Sequence, residues 1–559
     1  MMKKTLTILL LCAALTMSSL GGCAPETGGT AGSNYSQTNT QQTESAVMHQ
    51  AELEQVDSYS EAGGVRIALD GTNASADGSG CQISGSTVTI TSAGTYTVSG
   101  RLEGQIIVDA KGEKVHLVLD GADITCQNSS PIYIRKAKKV TVTLAEGSVN
   151  TLTDGTDYDY DDAAEEEPNA ALFSKADLIL EGSGALIVNA NFNNGIQSKD
   201  TLEIHSGTYT VNAVNHGITG RDSLAIGGGS FDIAAGGDGI RSNNADSGDV
   251  GWISILGGSY DINAGQDGIQ AESTLHIGGG EYTITTGGGS ENVSSDSAKA
   301  VKAGSDVLLE NGSFVIDSCD DALHSDGSLS VTGGDLTIST GGDGIHADSE
   351  LNISGGSLII TKSFEGIEGV RVNISGGYID VTSSDDAINS AGGDDGDSHM
   401  FAVDENCDIT ISGGVVIADA SGDGIDSNGN IHVSGGTLVV NGPTNSGNGS
   451  LDYNGECVVS GGLVAVSGSS GMAQGGSASS TQANMLLCFT TGIRGGTLVS
   501  LTDENGSVVY AFAPTKDFSS VFVSFPGMEV GKTYKLWIGG SCSGQPQNGI
   551  YTDGSLSDG

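Results

Sequence analysis

Apolar and polar residues alternate with a period of two along most of this chain. Early examples are Val88-Thr89-Ile90 and residues 115–119, which read VHLVL. Alternation places successive side chains on opposite faces of an extended strand, whereas an amphipathic helix repeats about every 3.6 residues. The pattern therefore predicts strands and excludes a helical protein.

From about residue 170 the strands recur as a repeat, with units such as LAIGGGSFDIAAGGDGIRS and LSVTGGDLTISTGGDGIHA. Each unit has Gly-rich corners and ends on an aliphatic marker residue. The markers are 21 or 22 residues apart except where insertions fall, at 243–250, 287–297 and 391–406. They are Ile196, Ile218, Ile240, Ile269, Val301, Leu323, Ile345, Ile367, Ile388 and Ile425. This period indicates a solenoid. The Leu/Asn frame of leucine-rich repeats is absent, so we predict an all-β, right-handed parallel β-helix.

In such a solenoid the coils stack about 4.8 Å apart, so columns of the sequence become physical ladders. The inward residue after each Gly-Gly corner is first aromatic and then aliphatic. The column reads Tyr209, Phe231, Tyr260, Tyr282, Phe314, Leu336, Leu358, Ile379, Val416, Leu438 and Val464. We predict a buried core stack, so these rings are not sugar platforms. Trp252 precedes the inward Ile253 and Ile255, and we expect it to be exposed for sugar stacking or, alternatively, shielded by a loop.

The N-terminal residues predict export and membrane attachment. Lys3 and Lys4 precede an apolar run at 6–15 that is too short for a membrane span, and the sequence LGGC follows at 20–23. This resembles a bacterial lipobox, which implies a signal peptide at 1–22 and a lipid on Cys23. We expect an exported lipoprotein, anchored to the cell membrane and facing the extracellular side.

Three further segments complete the predicted organisation. Residues 23–60 are rich in Gly, Ser, Thr, Gln and Asn, which is typical of a flexible linker. The β-helix is expected over 61–480. The repeat stops near 484, and alternating stretches with hairpin turns predict a β-rich C-terminal cap over 481–559.

The charge of the chain limits its partners. Asp and Glu number 69 against 22 Lys and Arg, which gives a formal net charge of −47. Such a chain repels phosphates, so nucleic acid is not an expected partner. An acidic ligand would need a cation as a bridge, and most of the charge simply suits a solvated surface.

Carboxylates recur at fixed positions around the marker residues. Two residues before the marker the column reads Asp238, Asp267, Lys299, Asp321, Asp343, Glu365, Asp386 and Asp423. One residue after it the column reads Arg241, Gln270, Lys302, His324, His346, Glu368, Asn389 and Asp426, and Asp320 and Asp385 form doublets with their neighbours. Stacked carboxylates repel by about 0.9 kcal/mol per pair in water and about 3.5 at an effective dielectric constant of about 20. Either cations bind or some carboxyls stay protonated.

Several interpretations of this ladder stay open. Oxygen ligands from successive coils suit Ca²⁺ better than Mg²⁺, and two histidines are weak support for a transition metal. Alternatively, the Asp side chains cap backbone N–H groups at repeated corners. Lys299 and Lys302, with Arg241, form a cationic end where a uronate could bridge from metal to lysine.

The stretch from about 65 to 550 resembles the bacterial carbohydrate-binding domain family with a polysaccharide-lyase-like β-helix. The resemblance rests on phrases such as VHLVLDGADI, ALFSKADLILEGSGALIV, SAKAVKAGSD, CDDALHSDGSLSVTGGDLTISTGGDGIHAD and FEGIEG. It implies a calcium-binding, right-handed β-helix that binds polygalacturonate-like pectin and cellulose. The calcium ligands that it implies are among Asp320, Asp321, Asp343, Glu365, Glu368, Asp385, Asp386, Asp423 and Asp426.

We therefore expect a non-catalytic, calcium-dependent polysaccharide binder, with Lys299, Lys302 and Trp252 as further carbohydrate contacts. One alternative is a calcium-dependent pectate lyase that uses Lys299, Lys302 or Arg241 as the base for the C5 proton. A lysine base needs a lowered pKa, and a strongly acidic neighbourhood raises it. The other alternative is a purely structural adhesin.

Overall fold

The computed structural model describes residues 47–56, 64–160, 166–292, 297–391 and 402–557, together with the backbone of a strand at Leu6–Leu9. The remainder of the predicted signal peptide, with Cys23, and most of the predicted linker lie outside the described residues. The regular elements of the described part are strands. It contains no helix long and apolar enough to cross a bilayer.

Three ladders of parallel strands build the repeat region, and each strand pairs with the third strand after it except where Ile345–Ile353 and Ile367–Ile374 replace two strands by one. Ladder A contains Ala185–Ala190, Thr208–Ala213, Ser230–Ala235, Ser259–Ala264, Glu281–Thr286, Ser313–Ser318, Asp335–Thr340, Ser357–Lys362, Tyr378–Ser383, Val415–Ala420, Thr437–Asn441 and Leu463–Gly468. Ladder B contains Ala170–Ser174, Asn194–Ser198, Ile218–Gly220, Ile240–Ser242, Ile269–Ala271, Val301–Ala303, Leu323–Ser325, Ile388–Ser390, Ile425–Ser427 and Asp452–Tyr453. Ladder C contains Asp177–Gly182, Thr201–Ile204, Ser223–Ile226, Trp252–Ile255, Leu275–Ile277, Val307–Leu309, Leu329–Val331, Asp408–Ile411, Asn430–Val433 and Cys457–Val459. The longer strands Ile345–Ile353 and Ile367–Ile374 run through both ladder B and ladder C.

The register confirms the predicted solenoid. Ile218 lies opposite Ile240, Ile240 opposite Ile269, and the same column continues through the markers to Ile388 and Ile425. The insertions leave this register intact. The protein is therefore an all-β stack of parallel coils, and its right-handed sense stays a prediction.

Earlier strands form the first coils. They are Val65–Gly71, Asn73–Ala76, Cys81–Ser84, Thr87–Ile90, Gly94–Glu103, Gln105–Asp109, Lys114–Cys126, Ile132–Lys136, Lys139–Leu144 and Val149–Asp154. Two antiparallel pairs lie among them, Val65–Gly71 with Asn73–Ala76 and Cys81–Ser84 with Thr87–Ile90. Parallel stacking thus begins near residue 65.

The aromatic column forms a continuous stack inside the solenoid. Ring centroids lie 5.1 Å apart for Tyr209 and Phe231, 4.8 Å for Phe231 and Tyr260, and 4.7 Å for Tyr260 and Tyr282. Phe314 lies 4.4 Å beyond Tyr282. These side chains are buried, and the Tyr260 hydroxyl donates to the Gly257 carbonyl at 2.8 Å. The rings are core residues, as the sequence predicted.

Parallel stacking ends at Leu463–Gly468, which pairs antiparallel with Phe518–Ser524. Asn484–Ile493 pairs with the other edge of Phe518–Ser524. The compact unit that holds the coils comprises 46–496 and 514–526.

Among the described residues, a second compact unit comprises Leu6–Leu9, 497–513 and 527–557. It contains an antiparallel sheet of Val499–Thr502, Val508–Phe512, Thr533–Ile538, Ile550–Tyr551 and the backbone of Leu6–Leu9, with a short pair at Ser541–Cys542 and Leu556–Ser557. The segment predicted as a cap is β-rich, and it is divided between the two units.

Candidate metal and carbohydrate site

Ladder B brings the predicted carboxylates onto one edge of the solenoid. The residue after each marker lies in register with its counterpart on the next coil. This polar column runs Arg241, Gln270, Lys302, His324, His346, Glu368, Asn389, Asp426 and Asp452. The short strands hold the backbone of each residue at a fixed step, so the side chains form an ordered series of ligands.

The Asp residues before the markers cap the following coil. The backbone N–H of Asp343 donates to Asp321 Oδ1 at 2.9 Å, and that of Glu365 donates to Asp343 Oδ1 at 3.1 Å. The same bond joins Asp423 N–H to Asp386 Oδ1 at 2.5 Å. The Asp side chains therefore cap backbone N–H groups at these corners. This capping occupies one carboxylate oxygen of each residue and leaves the second oxygen for another partner.

At one part of the column the carboxylates are neutralised by a lysine. Lys299 Nζ donates to Asp321 Oδ2 at 2.5 Å and to Asp320 Oδ2 at 3.0 Å. Although burial lowers the pKa of Lys299, the charges of Asp321 and Asp320 raise it above its usual value overall. Burial also raises the pKa of Asp321, but hydrogen bonding to His324 and the Lys299 charge hold it well below its usual range.

These contacts show the surroundings of the predicted cationic residues, whose roles stay predictions. Lys299, predicted as a sugar contact or lyase base, is an ion-paired, buried cation. Arg241 is likewise 3.3 Å from Asp238. Lys302 is half-buried and has no carboxylate within ion-pair distance in the part of the chain that the structure describes. Asp320 and Asp321 already have their counter-charge.

Farther along the column the carboxylates lack a cation. Oxygens of Asp386, Asp423 and Asp426, the distal cluster, all lie within 4.8 Å of one another. Across the described residues, no Lys, Arg or His forms an ion pair with any of the three. Burial and the charges of neighbouring aspartates raise the pKa of Asp386 to about 7, that of Asp423 to about 6 and that of Asp426 to about 8.

Two neighbours complete the distal cluster. Asn389 is 8% exposed, and its Nδ2 donates to Glu365 Oε2 at 3.0 Å. Its Oδ1 finds no donor among the residues that the structure describes. Burial and the Glu368 charge raise the pKa of Glu365 to about 8. A buried oxygen without a hydrogen-bond donor, next to carboxylates without a counter-charge, offers the oxygen ligands that a hard cation prefers.

A glycine makes room for the Asp385–Asp386 doublet. A Cβ on Gly422 would lie 2.2 Å from Asp385 Oδ1 and 2.5 Å from Asp386 Oδ1. Any side chain at this position would displace both carboxylates. The repeated Gly before the column Asp is therefore part of the site as well as of the corner.

Sequence reasoning missed Asp452 and assigned no role to Asn389. Asp452 lies in register with Asp426, and its charge contributes to the raised pKa of all three residues of the distal cluster. The nine residues at 442–450 interrupt the repeat before it. The buried Leu451 occupies the marker position, which is the signal that could have located Asp452.

Trp252 is half-buried rather than freely exposed. The His49 ring stacks on it at 5.1 Å with an interplanar angle of 2°. Neighbouring contacts hold this segment of the predicted linker in place, since Ala51 N–H donates to Ser254 Oγ at 3.1 Å. One face of the tryptophan is thus covered by the chain itself.

The sequence matches a known protein family. A family model described as "Carbohydrate-binding domain-containing protein" matches residues 84–344 and 342–506, which is most of the chain. The chain belongs to this family. The match covers most of the solenoid, which is therefore a carbohydrate-binding domain.

Two relatives extend the comparison. A carbohydrate-binding domain-containing protein of Acetivibrio thermocellus is 44% identical over 151 residues, 26% of this chain and 53% of the relative. The chain thus spans about half the length of that curated relative. A solved structure, the gadolinium derivative of a polysaccharide lyase-like protein from C. thermocellum, is 37% identical and has a TM-score of 0.41. The match covers 46% of this chain and 97% of that one.

Proposed function

We propose that this carbohydrate-binding protein is a non-catalytic, cell-surface lipoprotein that binds an acidic polysaccharide in a calcium-dependent way. The observation that carries the proposal is the distal cluster, a group of half-buried carboxylates without a counter-charge beside the orphaned Asn389 oxygen. Repulsion between such carboxylates destabilises the folded protein unless a cation binds to them.

The residues of the cluster fit calcium. Asp386, Asp423 and Asp426 would hold the ion, and Asn389 lies in register with Asp426 on the preceding coil. Ca²⁺ accepts six to eight oxygen ligands in variable geometry, whereas Mg²⁺ requires a near-ideal octahedron. Bound calcium would offset the carboxylate charge and leave coordination positions for sugar oxygens or a uronate.

An acidic, pectin-like polysaccharide is the preferred ligand. A chain with a net charge of −47 repels a polyanion unless a cation lies between them. The half-buried Lys302 offers a second positive group on the same column. Cellulose stays a second candidate, supported by the family resemblance.

The lysine geometry argues against a lyase. A base for the C5 proton must be deprotonated near neutral pH, and the carboxylates around Lys299 raise its pKa instead. Arg241 is paired with Asp238. Lys302 is the base that a lyase would have to use. The other alternative, a structural adhesin, would need neither metal nor sugar.

Sedimentation with insoluble polygalacturonate or cellulose tests the proposal. Wild-type protein and Asp426→Asn are mixed with each polysaccharide in calcium or in chelator, with Asp261→Asn on the exposed face of ladder A as control. We expect binding to polygalacturonate in calcium, loss in chelator and in Asp426→Asn, and no effect of Asp261→Asn. Binding in neither condition would reject the binder, and ultraviolet absorbance from an unsaturated product would establish the lyase.

Membrane attachment is part of the same proposal. A lipid on Cys23 would place the solenoid outside the cell, where pectin and cellulose occur. Radiolabelled palmitate should enter the wild-type protein but not Cys23→Ser. Equal labelling of both proteins would contradict the anchor.

A further inference from the structure

Between the lysine-neutralised carboxylates and the distal cluster, the column carries two histidines in the same local pattern. Residues 321–326 read DALHSD and residues 343–348 read DGIHAD. The two strands are in register, with His324 opposite His346 and their ring centroids 4.9 Å apart. In the other coils from Asn194–Ser198 onward this position holds Thr, Arg, Gln, Lys, Glu, Asn or Asp, and in Ala170–Ser174 it holds Phe173.

His346 makes a tripod with two carboxylates from its own and the following coil. Its Nδ1 lies 3.3 Å from Asp343 Oδ2 and 3.2 Å from Glu368 Oε2. All three side chains are between 13% and 24% exposed, so the tripod is sheltered but open to solvent on one side. A tetrahedral ion with bonds of about 2.0–2.1 Å has ligands about 3.3–3.4 Å apart along each edge. The two nitrogen–oxygen separations match that edge length, and all three ligand atoms lie within 4.8 Å of one another.

The second ring nitrogen of His346 is also fixed. Nε2 lies 3.2 Å from Asp348 Oδ1, a carboxylate that is not part of the tripod. Metal-binding histidines regularly donate their other N–H to a carboxylate, which selects the tautomer and orients the ring. His324 repeats the arrangement, with Nδ1 2.9 Å from Asp321 Oδ2 and Nε2 3.0 Å from Asp326 Oδ1.

The chemistry of this tripod differs from that of the distal cluster. Calcium prefers oxygen ligands throughout, whereas an imidazole nitrogen with two carboxylates suits zinc and related divalent transition metals. Glu368 and Asp426 are separated by one intervening coil, that of Asn389, so the two centres lie about 10 Å apart along the column. The two centres share no ligand.

We propose that Asp343, His346 and Glu368 form a binding site for a divalent transition metal of the zinc class, separate from the calcium site. The fourth ligand comes from solvent or from the adjacent His324. The competing interpretation is a protonated His346 that only neutralises its carboxylate neighbours. That arrangement binds no zinc.

Equilibrium dialysis of the full chain against Zn²⁺ in saturating calcium, followed by elemental analysis, separates the two. We expect one equivalent of zinc that calcium does not displace. His346→Gln and Glu368→Gln should each abolish it, while Asp426→Asn should lose calcium and keep zinc. Asp261→Asn should keep both ions.

A variant outside the tripod distinguishes a loss of zinc binding from a loss of folding. Asp348→Ala leaves the three ligands in place and removes the group that orients His346, so zinc affinity should fall about 10- to 100-fold. Circular dichroism should match the wild type for every variant. Absence of zinc from the wild type, displacement of zinc by calcium, or equal zinc affinity in His346→Gln would each overturn the proposal. None of these results bears on calcium-dependent polysaccharide binding, which is measured separately.

Discussion

Replacing Asp426 with Asn removes one carboxylate from the distal cluster while keeping the size and shape of the side chain. In the absence of metal, burial and the charges of Asp386 and Asp423 raise the pKa of Asp426 to about 8. In the unfolded chain an Asp has a pKa of about 3.9. At pH 7 the native state therefore binds a proton that the unfolded state releases, which costs about 4 kcal/mol at the limit of complete isolation from water.

Asp426 is half-buried, so solvent screening reduces this figure, and we expect Asp426→Asn to stabilise the metal-free protein by about 2 kcal/mol. For a chain of 559 residues that corresponds to a rise of only about 2 °C in the melting temperature. In calcium the order should reverse. An ion present at about 100 times its Kd stabilises the wild type by about 2.7 kcal/mol, and the variant should lose that gain.

Differential scanning calorimetry at pH 7, in chelator and in calcium, measures both effects. Asp261→Asn changes the same charge on an exposed part of ladder A and should shift neither curve by more than about 0.5 kcal/mol. Our reasoning is refuted if Asp426→Asn melts below the wild type in chelator, or if calcium stabilises both proteins equally.

Three other outcomes follow from the structure. First, stability should depend on pH when metal is removed. The pKa of Glu365 is raised to about 8 in the native state, whereas the unfolded carboxyl ionises near pH 4. Glu365 therefore lowers the free energy of unfolding progressively as pH rises from about 4 to about 8. Burial lowers the pKa of His346, but Asp343 and Glu368 raise it overall to about 9, so its contribution is full below about 6.5 and is lost by pH 9. The melting temperature in chelator should thus fall between pH 6 and pH 9, and a flat or rising profile would contradict these shifts. Second, Tyr260→Ala should lower the free energy of unfolding, measured in urea, by about 3–5 kcal/mol because it leaves a cavity in the aromatic stack. Tyr260→Phe should lower it by about 1 kcal/mol, since only the hydrogen bond to Gly257 is lost. Equal losses in the two variants would refute the packing argument. Third, His49→Ala should increase quenching of Trp252 fluorescence by acrylamide, and unchanged quenching would show that the ring is not covered in solution.

The sequence predicted the fold well because the repeat leaves few alternatives. A period of 22 residues with inward residues at fixed positions specifies which residue of one coil lies against which residue of the next. The aromatic stack from Tyr209 to Phe314 and the register of the markers follow directly from that period. The hand of the solenoid does not follow, because the same columns form in either sense.

The site was harder to predict because proximity and charge compensation are different properties. Periodicity placed Lys299, Asp320 and Asp321 close together, but only the side-chain geometry shows that Lys299 Nζ contacts both carboxylates. Asp452 was missed because an insertion interrupts the count. The contact of His49 with Trp252 joins positions far apart in the chain, and no local pattern signals it.

Whether the distal cluster binds calcium can be seen in a crystal soaked in Ca²⁺. We expect an anomalous difference peak with oxygens of Asp386, Asp423 and Asp426 at about 2.3–2.6 Å. We also expect Asn389 Oδ1, which has no hydrogen-bond donor among the described residues, to turn toward the ion or a water bound to it. A crystal with saturating calcium and no peak at these three carboxylates would show that the cluster is not a calcium site.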